Sequence, residues 1–554
     1  MPPLAAPLAV VAVCLAILSI GIFPIRDAGD QWWHLKTGKY LLEAGFDFPE
    51  EDVFSWTSKG HQWANHEWLS DTLMYLGYRS LGLRGLIVGK GLLLLVTFAL
   101  VAWMVRRRTG SWLWALPATL LAAWCSQYSV HLRPPVLTYL MAAIYLHLCL
   151  NLLRSQYLLL THILSFLLVV LWINLHGGGI LAPVVTGLIL TGLLLSWCAA
   201  RYLRQESRQR VLKIILIKRF VLQLLIVSLA SLVNPFGYEI HLLTLKVMRD
   251  AHLVRYVAEL QMPNLHHTKG YLVLLLLMIT TGLAAVRRVK PWDVLLVLFF
   301  TQQSLKHVRH LPLFAIVATP IIFELITMGF KDIRDHITLS RGPLAASRYR
   351  HFLSSMLAIL ALAGSLALLC SRWPVFNKPF FQTKGYIPSG VPGQACDFII
   401  QNPFHGRMYN PINFAGYLIW RLSPKHHQTF TDSRFDIFGS EVMLDCMAIE
   451  GGSLLSPDEA ASSRPRQESV LGKIETGALE PYWSRALDHY DINFLIILRD
   501  NGLYRVLQHQ ENFGWVQVYL DYDYAIYVRD IPENSQLIQA ATSAYEGMMR
   551  YKTR

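Results

Sequence analysis

Apolar runs of about 20 residues recur along most of this chain, and no other feature limits its fold so strongly. A run of that length crosses the hydrocarbon of a bilayer as a helix. Inside lipid, backbone polar groups must be satisfied within the protein, which leaves helices as the natural solution for such runs. Apolarity read against flanking charge places eleven spans at about 4–24, 86–104, 111–129, 136–153, 157–174, 179–199, 220–234, 270–286, 292–305, 311–329 and 352–371. Composition agrees. Of 554 residues 53% are hydrophobic and 16% charged, with a mean hydropathy of +0.36, whereas soluble domains carry about a quarter charged residues. The expected fold is an α-helical polytopic membrane bundle over 1–371, with the first outer loop at 25–85, followed by an extracytoplasmic α/β domain over 372–554.

The basic residues orient that bundle. Arg106–Arg108, Arg154, Arg201–Arg219, Arg287–Lys290 and Lys331–Arg350 fall in alternate connectors, 19 Lys or Arg against Glu206, Asp332 and Asp335. Cytoplasmic connectors carry such an excess, so the N-terminus is expected inside and the C-terminal domain outside. These connectors hold more positive charge than the chain's net +13, so the basic character reports topology and not nucleic-acid binding. The first run lacks a basic flank and reads as an uncleaved span.

Three regions face outward. In the first loop, "WWHLKTGKYLLEAG" and "NHEWLSDTLMYLGYRSLG" have the spacing of amphipathic helices ending near Gly45 and Gly82, with Trp32 and Trp33 as membrane-interface anchors. In the tail, "HGRMYNP", "HQTFTDSR" and "INFLIILRD" read as short strands and 515–531 as a hairpin, with helices near 393–401, 413–422 and 436–449. The polar stretch 456–469 reads as a loop. Cys396 and Cys446 lie in the outer domain, where a disulfide is permitted. No Walker, GxGxxG, HExxH or CxxC pattern occurs.

Polar residues gather at the expected outer ends of the spans. These are His131 and Arg133 before Pro134–Pro135, Asn174 and His176 before a glycine run, Asn234 and Glu239, and Lys306, His307, Arg309 and His310. Each can simply snorkel or turn the chain. Four such groups opposite a loop bearing Asp27 and Asp30 also suit a pocket for an anionic lipid headgroup. Asp30 can cap the helix beginning at Gln31, or act as a general base beside cationic groups. The outward histidines show no metal-ligand spacing.

"D..DQWWHLKTGKYLLEAG...PEEDVFSWTSKGHQWANHEWLSDTLMY" resembles the first outer loop of a group of bacterial membrane proteins of glycosyltransferase GT-C type. "LRPPVLTY", "LWINLHGGG", "LVNPFGYE" and "VRHLPLFAI" resemble its later motifs, and "GRMYNPINFAGYLIW" and "FTDSRFDIFGSE" its outer domain. The resemblance implies a multi-pass enzyme of the bacterial inner membrane. Such an enzyme moves a sugar from a polyprenyl-phosphate carrier to an extracytoplasmic lipid or glycan acceptor. It implies Asp30, with Asp27 second, as the acid that activates the acceptor or holds a divalent cation. His34, Asp52, His66 and Glu67 lie in the matching loop, and Asn174 in a matching motif. Arg133, His176, Lys306, Arg309 and His310 are the implied phosphate-side residues. Asp27 and Asp30 are three residues apart, where the family's acids are adjacent or i,i+2, which leaves the metal and the base open. A non-enzymatic protein that binds or passes on lipid-linked glycans is the alternative.

Overall fold

The computed structural model describes residues 5–22, 29–61, 63–204, 207–249, 257–284, 288–341, 343–376, 390–435, 437–509 and 514–552. The chain divides into two compact units, one of Met1–Ile25 and His66–Tyr386, the other of Arg26–Asn65 and Ile387–Arg554. The sequence reading groups 25–85 with the membrane bundle. In the structure, Arg26–Asn65 instead packs with the C-terminal residues.

In the first unit each expected span falls on a helix of its own. Among the described residues, six helices are long and apolar enough to cross a membrane, with shorter apolar ones at Pro7–Ile22, Trp112–Ser126 and Lys269–Ala284. The Trp68–Thr109 helix packs against Ala5–Ile22, Trp112–Ser126, Pro135–Leu153 and Leu311–Arg341. Its first part is the amphipathic helix expected to end at Gly82. That residue has φ +67° and ψ −176°, a conformation open to glycine, so the chain kinks there and continues into the span.

One end of this unit gathers basic residues. Arg108 pairs with both Asp293 and Glu324, Lys290 reaches Glu324 at 3.0 Å, and Arg107 donates to Asn151 at 2.7 Å. Asp293 and Glu324 lie inside apolar helices, and their partners compensate the cost of burying them. The opposite end is knitted by loop contacts. Ser129 donates to the Val308 carbonyl at 2.8 Å, Tyr139 to the Ser129 carbonyl at 3.0 Å, and Lys90 to the Val130 carbonyl at 3.0 Å.

The second unit is built on a four-stranded sheet of order β1-β2-β4-β3, with β1 Arg407–Tyr409, β2 Ile492–Leu498, β3 Trp515–Leu520 and β4 Tyr524–Arg529. β1 runs parallel to β2, and β2–β4 and β3–β4 are antiparallel. The hairpin and the three helices match expectation, at Gly393–Gln401, Ala415–Arg421 and Ser440–Glu450.

Several details differ from the reading. Among the described residues "HQTFTDSR" forms no strand beyond an isolated bridge, Ser55 with Thr429, and a side chain from outside the stretch takes up part of its backbone's bonding. Asn410, for example, accepts from the Phe430 N–H. The polar stretch after Ser456 is helical at Pro457–Ala460 and Arg464–Glu475. Ser456 and Glu459 form a reciprocal capping box, and proline occupies the first turn of both helices. Cys396 and Cys446 are free, buried thiols.

Candidate functional site

At the end of the membrane unit opposite the basic cluster, the glycine run meets the start of the Trp68–Thr109 helix. Glu67 is the N-cap residue of that helix and is 7% exposed. His176 Nε2 lies 3.4 Å from its carboxylate and His66 Nε2 4.0 Å. The Gly178 backbone N–H donates to His176 Nδ1 at 2.8 Å, and the Thr138 hydroxyl lies 2.9 Å from the same atom. A backbone N–H can only donate. Nδ1 therefore carries no proton, and the neutral ring bears its hydrogen on Nε2, toward Glu67. Trp172 donates to Thr138 Oγ1 at 2.9 Å, which leaves the threonine proton for His176.

The glycine run makes this geometry possible. A Cβ on Gly178 would meet Thr138 Oγ1 at 2.6 Å and His176 Nδ1 at 2.8 Å, and one on Gly177 would meet His66 Cδ2 at 3.2 Å.

Arg309 is within electrostatic reach of Glu67, Glu259, Tyr139 and Arg133. Arg133 itself is ion-paired to Glu259. Among the described residues, none accepts a hydrogen bond from the Arg309 guanidinium. Lys306 ends the Pro291–Lys306 helix and is exposed. His307 Nδ1 lies 2.6 Å from the Leu260 carbonyl, and His310 sets its ring 5.4 Å from that of His307.

Asn174 is spent on protein. Its amide donates to the Val170 and Val233 carbonyls at 2.8 Å, and its oxygen accepts from Trp68 at 3.0 Å. It borders a groove of about 580 Å³ lined by Trp68, Leu69, Leu167, Leu171, Val233 and Pro235 among others.

In the second unit, Asp30 is the first residue of the Asp30–Glu43 helix, and Gly29 takes the N-cap position. The half-buried Asp30 carboxylate accepts from the Ser433 hydroxyl, which itself accepts from Trp33 Nε1 at 3.1 Å. His34 is 2% exposed, its ring against that of Trp33. Trp32 and Trp33 are core residues and not membrane anchors. Trp32 packs on Tyr417 and Trp420, and both tryptophans are under 8% exposed.

Beside them Arg434 binds two carboxylates, donating to Asp52 at 2.6 Å and to Asp432 at 2.7 and 2.9 Å. Ser58 also donates to Asp52 at 2.6 Å. Trp63 and Phe54 flank the guanidinium with ring centroids at 4.9 and 5.3 Å. Burial pushes both carboxyls up. At Asp52 the charge of Arg434 and the serine and arginine hydrogen bonds outweigh burial and hold it below its ordinary range. At Asp432 burial wins and its carboxyl is raised.

Neither a protein-family model nor a curated protein matches the chain. Solved structures do. The archaeal oligosaccharyltransferase AglB from Archaeoglobus fulgidus, in complex with an inhibitory peptide and a dolichol-phosphate, matches with a TM-score of 0.55 at 11% identity, over 90% of this chain and 69% of its own. The Archaeoglobus fulgidus oligosaccharyltransferase in the apo form matches with a TM-score of 0.53 at 10% identity, over 89% and 69%. The chain has a GT-C-like fold. ArnT from Cupriavidus metallidurans in the apo state gives a TM-score of 0.48 at 12% identity, over 94% and 97%.

Within the GT-C-like membrane unit, the expected residues Glu67, His66 and His176 come together, with Arg309 in reach and Arg133 beside it. Lys306 and His310 neighbour Arg309 in sequence. Asn174 is engaged in packing. Asp30 and His34 belong to the other compact unit, and Asp27 lies outside the described residues. No group of three or more His, Cys, Asp or Glu able to hold a metal ion is found among the described residues. The Glu67 cluster does not fit one either, because a ligating Nε2 would force the His176 proton onto Nδ1, against the Gly178 N–H. The sequence reading missed Thr138, Trp172 and Ser433 as partners, and Arg434 and Asp432 as a charge centre. "TDSR" was visible as a motif, but nothing local in it shows which acid it meets.

Proposed function

We propose that the protein is a membrane glycosyltransferase that moves a sugar from a polyprenyl-phosphate carrier to an acceptor outside the cytoplasm. The observation that carries this reading is Arg309. In a GT-C-like bundle, it is an arginine without a hydrogen-bond acceptor among the described residues, at the end of the unit opposite the basic cluster. A guanidinium in such a place suits a phosphate, which it binds through a pair of N–H donors. Arg133, Lys306 and His310 are the accompanying phosphate-side candidates. The apolar groove beside Trp68 and Asn174 is lined by residues able to shelter a hydrocarbon chain. A fixed cation at Arg309 stabilises the charge that grows on the phosphate as it leaves.

The same reading makes Asp30 the general base and Asp27 its second. Asp30 presents a half-buried carboxylate oriented by Ser433, and a base so held takes the acceptor proton as the new glycosidic bond forms. The reading also places the protein in the bacterial inner membrane, with the N-terminus in the cytoplasm and the C-terminal domain outside. The boundaries proposed from sequence, 1–371 and 372–554, then describe the topology, while the compact units describe the packing.

The test is incorporation of labelled sugar from a polyprenyl-phosphate donor by the purified protein. Asp30→Asn is expected to fold normally and to lose about 10²–10⁴ in rate, while Arg309→Gln weakens binding of undecaprenyl phosphate. Full transfer by Asp30→Asn would remove Asp30 as the base. Carrier binding with no product under any acceptor would favour a lipid-linked glycan handler over an enzyme.

A further inference from the structure

Three consecutive arginines near the end of the Trp68–Thr109 helix are used in three different ways. Arg106 lies over the rings of Trp103 and Trp112, its guanidinium carbon 5.7 and 5.1 Å from their centroids. Arg108 is neutralised by Asp293 and Glu324. Arg107 meets only neutral acceptors, donating to Asn151 Oδ1 at 2.7 Å and to Gln156 Oε1 at 2.6 Å. Arg154 donates to the Arg107 carbonyl at 2.7 Å, and Arg219, from the Ser207–Ala230 helix, donates to the Ser155 hydroxyl. Among the described residues no carboxylate pairs with Arg107, Arg154 or Arg219.

These bonds orient the guanidinium groups without neutralising them, and each group has donors to spare after making them. Arg107 and Arg154 are within electrostatic reach of each other, so like charges are held together at a cost that an anion offsets. The turn that gathers them takes an uncommon backbone path, with Ser155 at φ +58° and Tyr157 at φ +47°. His147 stands one helical turn before Asn151 on the same face of the Pro135–Leu153 helix, within electrostatic reach of both arginines. Its Nδ1 is buried without a hydrogen-bond partner. Guanidinium groups presented in this way match phosphate oxygens. Directly after the turn the chain exposes Tyr157, Leu159 and Leu160, by 76, 74 and 53%. Apolar surface beside the cations suits a phosphate that carries hydrocarbon, and not a free one.

We infer that Arg107, Arg154 and Arg219 hold the phosphate of an anionic phospholipid at the basic end of the bundle. Basic pockets between membrane helices take such headgroups. One headgroup there ties together the Trp68–Thr109, Pro135–Leu153 and Ser207–Ala230 helices. The site is at the end of the unit opposite Arg309 and is independent of the carrier reading.

The experiment titrates the full-length protein in detergent with phosphatidylglycerol, phosphatidylcholine or inorganic phosphate and reads bound lipid by native mass spectrometry. The parent is expected to bind phosphatidylglycerol about tenfold or more tightly than phosphatidylcholine, as charge-assisted hydrogen bonds permit. Arg107→Gln and Arg154→Gln are each expected to cut that preference to about threefold or less. Arg154 is exposed, so its variant decides the matter if Arg107→Gln melts early. Arg208→Gln removes the same charge from an exposed position on the Ser207–Ala230 helix and should leave the preference within about twofold of the parent's. No preference in the parent, or a preference that survives in Arg154→Gln, overturns the inference. So does an equal loss in Arg208→Gln, which would make the effect one of net charge. Inorganic phosphate that displaces phosphatidylglycerol at comparable concentration overturns the assignment to a lipid.

Discussion

At Arg434 one guanidinium serves two buried carboxylates whose proton affinities move in opposite directions. Asp52 is depressed below its unfolded value, so its contribution to stability is complete above that value and is lost as pH falls through the folded one. Asp432 is raised, so its contribution is complete below the unfolded value and is lost as pH rises through the folded one. Acidifying from neutrality toward the ordinary Asp value of about 3.9 therefore relieves Asp432 before it harms Asp52. Thermal unfolding followed against pH should show the melting temperature gaining from this site over that window, with Asp432→Asn flattening the gain. An unchanged pH profile in Asp432→Asn would mean that Asp432 titrates normally. At this scale the sequence was a poor guide. Asp52 stood out only as an acid in a conspicuous loop, and its partner is 382 residues away. Asp30 was visible as helix-initiating, but the Ser433 hydroxyl that engages it was not.

Elements were legible where a local rule governs them. The helical spans, the terminal hairpin and the helix beginning at Asp30 follow from periodicity and flanking residues. The stretch after Ser456 reads as a loop from its polarity, whereas the structure uses its S-x-x-E capping signature in full. The run Gly177–Gly179 reads as a turn in sequence, whereas its physical content is space. Gly178→Ala would press a methyl group on Thr138 and His176, so we expect a loss of about 1–3 kcal/mol, the range for overpacking a filled site. Gly187→Ala lies on the following helix, Leu181–Tyr202, where a Cβ meets nothing within 4 Å. It should be neutral or mildly stabilising, since alanine favours the helix by up to about 1 kcal/mol over glycine. Melting curves of the two variants decide the point. Equal curves would show that the turn yields and that His176 is not fixed by it.

For the whole molecule, hydropathy was enough to recognise a helical membrane bundle with a C-terminal α/β unit. It could not show that Arg26–Asn65 packs with the C-terminal residues, because that association depends on pairings such as Trp56 N–H with the Thr429 carbonyl at 3.1 Å, hundreds of residues apart. Orientation is the property on which the functional reading depends at this scale. The basic connectors meet one another at one end of the bundle. Arg154 donates to the Arg107 carbonyl, Arg219 reaches Ser155 and Arg288 pairs with Asp332. Asp293 and Glu324 offset part of their charge, but lysine and arginine still predominate there, and it is their excess, not net charge, that orients a bundle. Reporter fusions after Arg108, Arg219 and Arg350 are therefore expected to report the cytoplasm, and fusions after Gly60 and Arg421 the outside. A cytoplasmic signal at Arg421 would put Asp30's unit on the wrong side for an extracytoplasmic acceptor. The proposed transfer could then not proceed as drawn, even if every residue-level prediction held.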